Sequence, residues 1–358
     1  MEELLARPQD RQSPPALAAP DLGRDGADAV VLTEVRSSMA ESSAFLREHE
    51  ASGTGPLALE QLHEDVRMLA DDYLRRPLPA VFQDVLRLRR DVLRMLDQRQ
   101  RHSDLMELYQ VAGHLSAMLS YSCFDLGHPD AATTHARAAW ACAEQCDSGQ
   151  LQAYIRWAQS NIAYWHGRYP DAVALAQSGQ RLAKAGTSLL RLTSQEARAH
   201  AAMSGAAEVE RTLSLAQTCD MDALDDPAGV FSFVPGKFLY YSSEALLQVG
   251  GEGSARRAVA AAEESLAYFR VHADRSCPEF LAAARLDAAS AHLALRDVDG
   301  AMVSLDEVLR IPAKHRTTPV RKRMDSIVRL LAGAGDKRAA AVAAELRQIG
   351  ERTVSGGV

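Results

Sequence analysis

The chain has 358 residues, with 40 Lys and Arg against 47 Asp and Glu and a formal net charge of −7. That length suits two ordinary domains or one elongated repeat array, and the acidic balance argues against a stand-alone nucleic-acid binder, which is basic overall or on one face. Hydrophobic residues make up 47% and aromatics only 6%. No segment alternates polar with apolar long enough to read as a strand, so the expected fold is all-α.

Residues 1–29 hold Pro8, Pro14, Pro15 and Pro20 among scattered Asp, Gly and Arg, a composition expected to form a flexible leader. Helical periodicity begins near Val30 and opens a helical segment spanning 30–103. Within it Leu62, Val66, Leu69 and Tyr73 share one helix face, and Val85, Leu88, Val92 and Leu96 share another, with Pro77 and Pro79 between the two helices. The basic run Arg87, Arg89, Arg90 and Arg94, like Arg321–Arg323 further on, reads as a solvated helix face balanced by nearby acids.

Over 104–350 paired helices are expected. LSAMLSYSCFDLGHPDAATTHARAAWAC turns at Gly127 and LQAYIRWAQSNIAYWHGRYPDAVALAQSGQRL turns at Gly167, 40 residues later, an interval within the range of helical repeats. Gly127, Ala132 and Ala136 match the tetratricopeptide spacing, as do Gly167, Ala172 and Ala176. A degenerate third unit turns around Gly205. A fourth pairs KFLYYSSEALLQVGG with SARRAVAAAEESLAYF, and a fifth has Arg296 where the turn glycine would be. A last pair from about Pro319 to Ile349 caps the stack, followed by a flexible tail at 351–358. Such units bury their apolar faces only by stacking, so the predicted architecture is a TPR-like α-solenoid of antiparallel helix pairs.

Five cysteines occur without a CxxC pair and read as buried free thiols. No apolar run is long enough to span a bilayer and no secretory signal opens the chain. The expectation is a soluble cytoplasmic protein without membrane association.

On the helix from Leu151 to His166, the stripe Leu151, Ile155, Ala158, Ile162 and Trp165 is assigned to the core. A second stripe, Tyr154, Trp157, Asn161 and Tyr164, is assigned to a concave binding groove, since large aromatics suit binding surfaces, with Arg156 and Gln159 flanking it. Lys237, Tyr240, Tyr241 and Glu244 extend the groove, together with Tyr121 and Phe124. Phe231 and Phe233 lie in a loop, DDPAGVFSFVPGK, that folds back onto the helices or lines the same pocket. No HExxH, phosphate-binding glycine loop, GxSxG or EF-hand spacing occurs, so neither catalytic nor metal-ligating residues nor a cofactor are assigned.

The blocks LALEQLHEDVRMLADDYL, DLGHPDAATTHARAAWACAE, SNIAYWHGRYPDAV, DDPAGVFSF and RTTPVRKRMDSI, in this order over residues 30 to 335, resemble the tetratricopeptide-like sensor half of actinobacterial helix-turn-helix (XRE-type) transcriptional regulators. The DNA-reading helices of that family would precede residue 30, where the 29 proline-rich residues are too short to form them, so direct sequence-specific DNA binding is not expected. The resemblance implies a non-catalytic sensor in transcriptional or developmental and secondary-metabolism control. It would bind a peptide, a small metabolite or a partner protein in its groove, with a homodimer left open. Two alternatives stand beside it: a regulator acting on DNA through a partner or an unrecognised reader, and an enzyme reusing the groove.

Overall fold

The computed structural model describes residues 24–48, 55–98, 100–183, 186–221, 223, 226–312, 315–333 and 337–354. Among them every regular element is helical, as expected from the sequence. The helices are α1 (Arg24–Glu48), α2 (Pro56–Arg75), α3 (Leu78–Leu96), α4 (His102–Asp125), α5 (Pro129–Gln145), α6 (Gly149–Trp165), α7 (Tyr169–Gln180), α8 (Thr187–Ala201) and α9 (Ala206–Gln217). They continue with α10 (Pro235–Val249), α11 (Glu252–Val271), α12 (Pro278–Ala294), α13 (Val298–Leu309), α14 (Thr318–Gly333) and α15 (Lys337–Val354). Among the described residues no helix is long and apolar enough to cross a membrane.

The chain divides into two units, 1–49, which holds α1, and 50–358, which holds the other helices. The leader expected over 1–29 lies outside the described residues up to 23, but α1 starts at Arg24 rather than near Val30. The leader prolines end at Pro20, so nothing in the next residues forbids a helix. The expected tail lies outside the described residues from 355, while α15 runs through Val354.

Proline sits in the first turn of α2, α3, α5, α7, α10 and α12, where its missing N–H costs nothing and its φ is preset. Between α4 and α5, and between α6 and α7, the chain reverses through Gly127 (φ +89°) and Gly167 (φ +73°). In the third pair the left-handed residue is Ser204 (φ +61°), one position before the Gly205 expected from sequence. In the fifth it is Arg296 (φ +60°), at the position where a glycine was missed.

Within the second unit, consecutive helices pack on one another, as in α4 on α5, α6 on α7 and α12 on α13, except that α13 packs on α15 rather than on α14. Alternate helices also touch in succession, α4 with α6, α6 with α8, α8 with α10, α10 with α12 and α12 with α14, and α14 touches α4. Alanines make these contacts close. Ala132, Ala136, Ala172, Ala176 and Ala301 are all buried, and Ser120 and Ser160 each donate to the carbonyl twelve residues on, Ala132 at 2.8 Å and Ala172 at 2.7 Å.

The segment before α10 forms a 3-10 turn, Gly229–Phe231, seated on α2. A methyl group at Gly229 (φ +68°) would lie 2.3 Å from the Ala70 carbonyl carbon, so only glycine allows this approach. Arg191 clamps the turn by donating to the Phe231 carbonyl and pairing with Asp226 at 2.8 Å.

Candidate functional site

Most of the side chains that converge in the second unit come from the first helix of each pair. A cavity of about 60 Å³ is lined by Tyr121 and Asp125 of α4, Asn161 and Trp165 of α6, Arg198 of α8 and Tyr240 and Tyr241 of α10. Glu279, Phe280 and Ala283 of α12, Arg323 of α14 and Tyr73 of α2 also line it.

One end is an ion-pair cluster. Arg198 Nε lies 2.9 Å from Glu244 Oε2, Arg323 donates to the same oxygen, and Arg323 Nε donates to Asp287 Oδ1 at 3.0 Å. Tyr164 donates its hydroxyl to Glu244 Oε1 at 2.8 Å and accepts from Gln248 at 2.7 Å. The Arg198 guanidinium lies 4.1 Å from the centre of the Tyr241 ring and 4.4 Å from that of Tyr164, a cation–π arrangement that partly replaces lost hydration. Burial alone would push Glu244 up, but Arg198 and Arg323 reverse this and hold its carboxylate below the usual range. Burial pushes Asp287 up to about 7 against the pull of Arg323.

The other end is acidic and aromatic. Asp125 is 6% exposed and its Oδ2 accepts the Tyr73 hydroxyl at 2.9 Å, while its Oδ1 is buried without a hydrogen-bond partner. Burial pushes the Asp125 acid up to about 7; Tyr73 and Arg321 pull it down and Glu279 pushes it further up. The Asp125 carbonyl accepts the Thr318 hydroxyl at 3.1 Å, which ties the end of α4 to the start of α14.

Of the residues assigned to the groove from sequence, Tyr121, Asn161, Tyr240 and Tyr241 line the cavity, and Tyr164 and Glu244 belong to the ion-pair cluster beside it. The others do not reach it. Arg156 lies 3.8 Å from the Trp140 ring centre and donates to Gln159 at 2.9 Å, which puts both on the α5 side of α6. Phe124 packs with Cys123, Ala132 and Ile162. Tyr154, Trp157 and Phe231 belong to one apolar cluster and Phe233 to another. Lys237 is buried, donating to the Ser232 carbonyl at 2.7 Å, and burial lowers its amine to about 7. The assignment of Tyr154 and Trp157 to an open surface is therefore corrected, because α4, α5, α7 and α8 surround α6 and bury both of its stripes. Trp165, assigned to the core, lines the cavity beside Asn161.

Sequence reasoning missed Tyr73, Asp125, Arg198, Asp287 and Arg323. Arg321–Arg323 is not a solvated run: Arg323 enters the ion-pair cluster and Lys322 donates to the Trp165 carbonyl. A usable signal was present in Asp287, a lone acid within the alanine-rich LAAARLDAASAHLAL. A charge at such a buried position has a partner. Cys123 and Cys277 are buried and Cys142, Cys146 and Cys219 half-buried, all as free thiols. No protein-family model and no curated protein sequence matches this chain.

Proposed function

We propose that the chain is a non-catalytic regulatory sensor, built as a TPR-like α-solenoid, that holds the head of a small ligand in its central cavity. The repeat reading is supported by left-handed turn residues at positions 127, 167, 204, 250 and 296 and by the equivalent serine-to-carbonyl bonds of Ser120 and Ser160. The regulatory setting follows from the resemblance to the sensor half of XRE-type regulators.

One observation carries the ligand reading. All six first helices, α4, α6, α8, α10, α12 and α14, contribute a side chain to a single cavity. Apolar walls with a few converging polar groups are how small-molecule sites are built. A ligand there would touch every repeat at once and bias the α4–α14 contact, the kind of small interface shift that sensors amplify.

The test is a thermal-shift survey of small cationic, anionic and neutral fragments against the wild type and Ala283→Val. Ala283 lines the cavity and is 6% exposed, so valine narrows it. At least one class is expected to raise the wild-type melting temperature and not that of the variant. If no class does so, the ligand reading falls.

A further inference from the structure

We propose that the acidic end of the cavity binds a small organic ammonium ion, an inference that rests on the sensor reading above. Asp125 of α4 and Glu279 of α12 both line the cavity, with Glu279 near enough to push the Asp125 acid up. Burial and Glu279 both oppose the ionisation of Asp125, and a cation bound beside it would favour that ionisation.

The cations nearby are already committed. Arg198 and Arg323 are held by Glu244 and Asp287, and Arg76 by Asp72 at 2.8 Å and Asp84 at 2.9 Å. Arg321 donates to the Arg316 carbonyl at 2.7 Å and to Thr318 Oγ1 at 2.9 Å. His315 Nδ1 lies 3.1 Å from Glu279 Oε1, while Asp125 Oδ1, in a side chain more than nine-tenths buried, has no hydrogen-bond partner.

The walls add a second, independent reason. Tyr73 and Tyr121 are stacked with ring centres 5.6 Å apart, and Tyr240, Tyr241, Trp165 and Phe280 line the same space. Ring faces attract ammonium groups, whereas an anion would meet Asp125 and Glu279. A neutral donor would satisfy Oδ1 but leave the two acids opposed. A cavity of about 60 Å³ is several times the roughly 10–15 Å³ that a cavity needs to hold one water. That is room for an ammonium head and one or two carbons.

The experiment titrates the full-length protein with ethylammonium chloride, ethanol and sodium acetate at matched ionic strength, followed by saturation-transfer NMR. Ethylammonium is expected to bind with a Kd on the order of 1 mM, the ceiling for three heavy atoms, with ethanol and acetate at least tenfold weaker (about a tenth of that affinity). Asp125→Asn and Glu279→Gln are each expected to weaken ethylammonium by about tenfold or more, with a melt confirming that each variant is folded. The second variant decides the matter if the first does not fold. Equal or tighter binding of acetate or ethanol overturns the inference, as does undiminished ethylammonium binding in the folded variants. In that case the sensor reading stands if another fragment class binds wild type and not Ala283→Val, and falls if none does.

Discussion

Two glycines with similar backbone angles face different surroundings. Gly167 (φ +73°) has nothing within 4 Å of where a Cβ would be, whereas at Gly229 (φ +68°) that atom would meet the α2 backbone at 2.3 Å. Gly167→Ala is expected to cost only the left-handed penalty of about 1–2 kcal/mol. Gly229→Ala adds a clash with Ala70 that no rotamer relieves, and should cost clearly more, roughly 3 kcal/mol or above. Equal melting temperatures for the two variants would mean that the 3-10 turn does not sit on α2. At the same scale, Asp125 gives the protein a pH signature. Its acid is held at about 7, above the unfolded value of 3.8, so between roughly pH 4 and 7 the folded chain binds a proton that the unfolded chain does not, and stability falls as pH rises through that window. His114 works in the opposite sense. Burial holds it neutral down to about 4, so stability is lost as pH falls below the unfolded value of 6.5. The groups facing Asp125 are Tyr73 of α2, Tyr121 of α4, Glu279 of α12 and Arg321 of α14. Asp125→Asn should therefore gain stability relative to wild type as pH rises from 4 to 7, by at most about 1.4 kcal/mol per unit. A constant difference across denaturation curves at pH 4.5, 5.5 and 6.5 would rule this out.

At the scale of one helix, α6 tells why the fold was more legible than the site. Its apolar period, the turn at Gly167 and Pro170 in the first turn of α7 are local signals, and they mark the helix pair correctly. Which face looks where depends on neighbours far along the chain. A helix with company on one side buries one stripe, but α6 is enclosed, so Ser160 and Asn161 are buried with the aromatics. Polarity along its sequence therefore did not report exposure. Trp157 is 5% exposed, with ring centres of Tyr121 and Tyr154 at 5.5 and 5.3 Å. Trp157→Ala is expected to cost roughly 3–5 kcal/mol, as much as the 2–5 kcal/mol of Ile162→Ala. Because the Trp157 indole N–H has no hydrogen-bond partner, Trp157→Phe should cost much less, for it removes a buried orphan donor along with the volume. Thermal melts of the three variants check the order, and a mild Trp157→Ala would restore the open-surface assignment.

Across the second unit, the ion-pair cluster joins α8, α10, α12 and α14 through charges that are each under 10% exposed. None of these partners is a sequence neighbour, with Glu244 and Arg323 79 residues apart, which is why spacing alone could not assemble them. Removing one member strands the others. Arg323→Met leaves Asp287 without its cation and Glu244 with one instead of two, at an expected cost of about 3–5 kcal/mol. Adding Asp287→Asn to Arg323→Met should recover a good part of that loss, and additive losses in the double mutant would show that the two do not interact.

The bond from Thr318 to the Asp125 carbonyl joins residues 193 positions apart. In an open stack each unit touches only its neighbours, so terminal units fray first and amide exchange is graded from end to centre. Here α14 comes back to α4, and the last pair is held by the first. Forming that contact requires closing a long stretch of chain, which slows folding, but once formed it removes a free end. Amides of α4 and α14 should consequently exchange in one cooperative step at low denaturant, and Thr318→Val should split that step by letting α14 and α15 open ahead of the rest. The closure makes α4 and α14 a single reporter, so whatever fills the space between them would be felt as a change in how long they stay together.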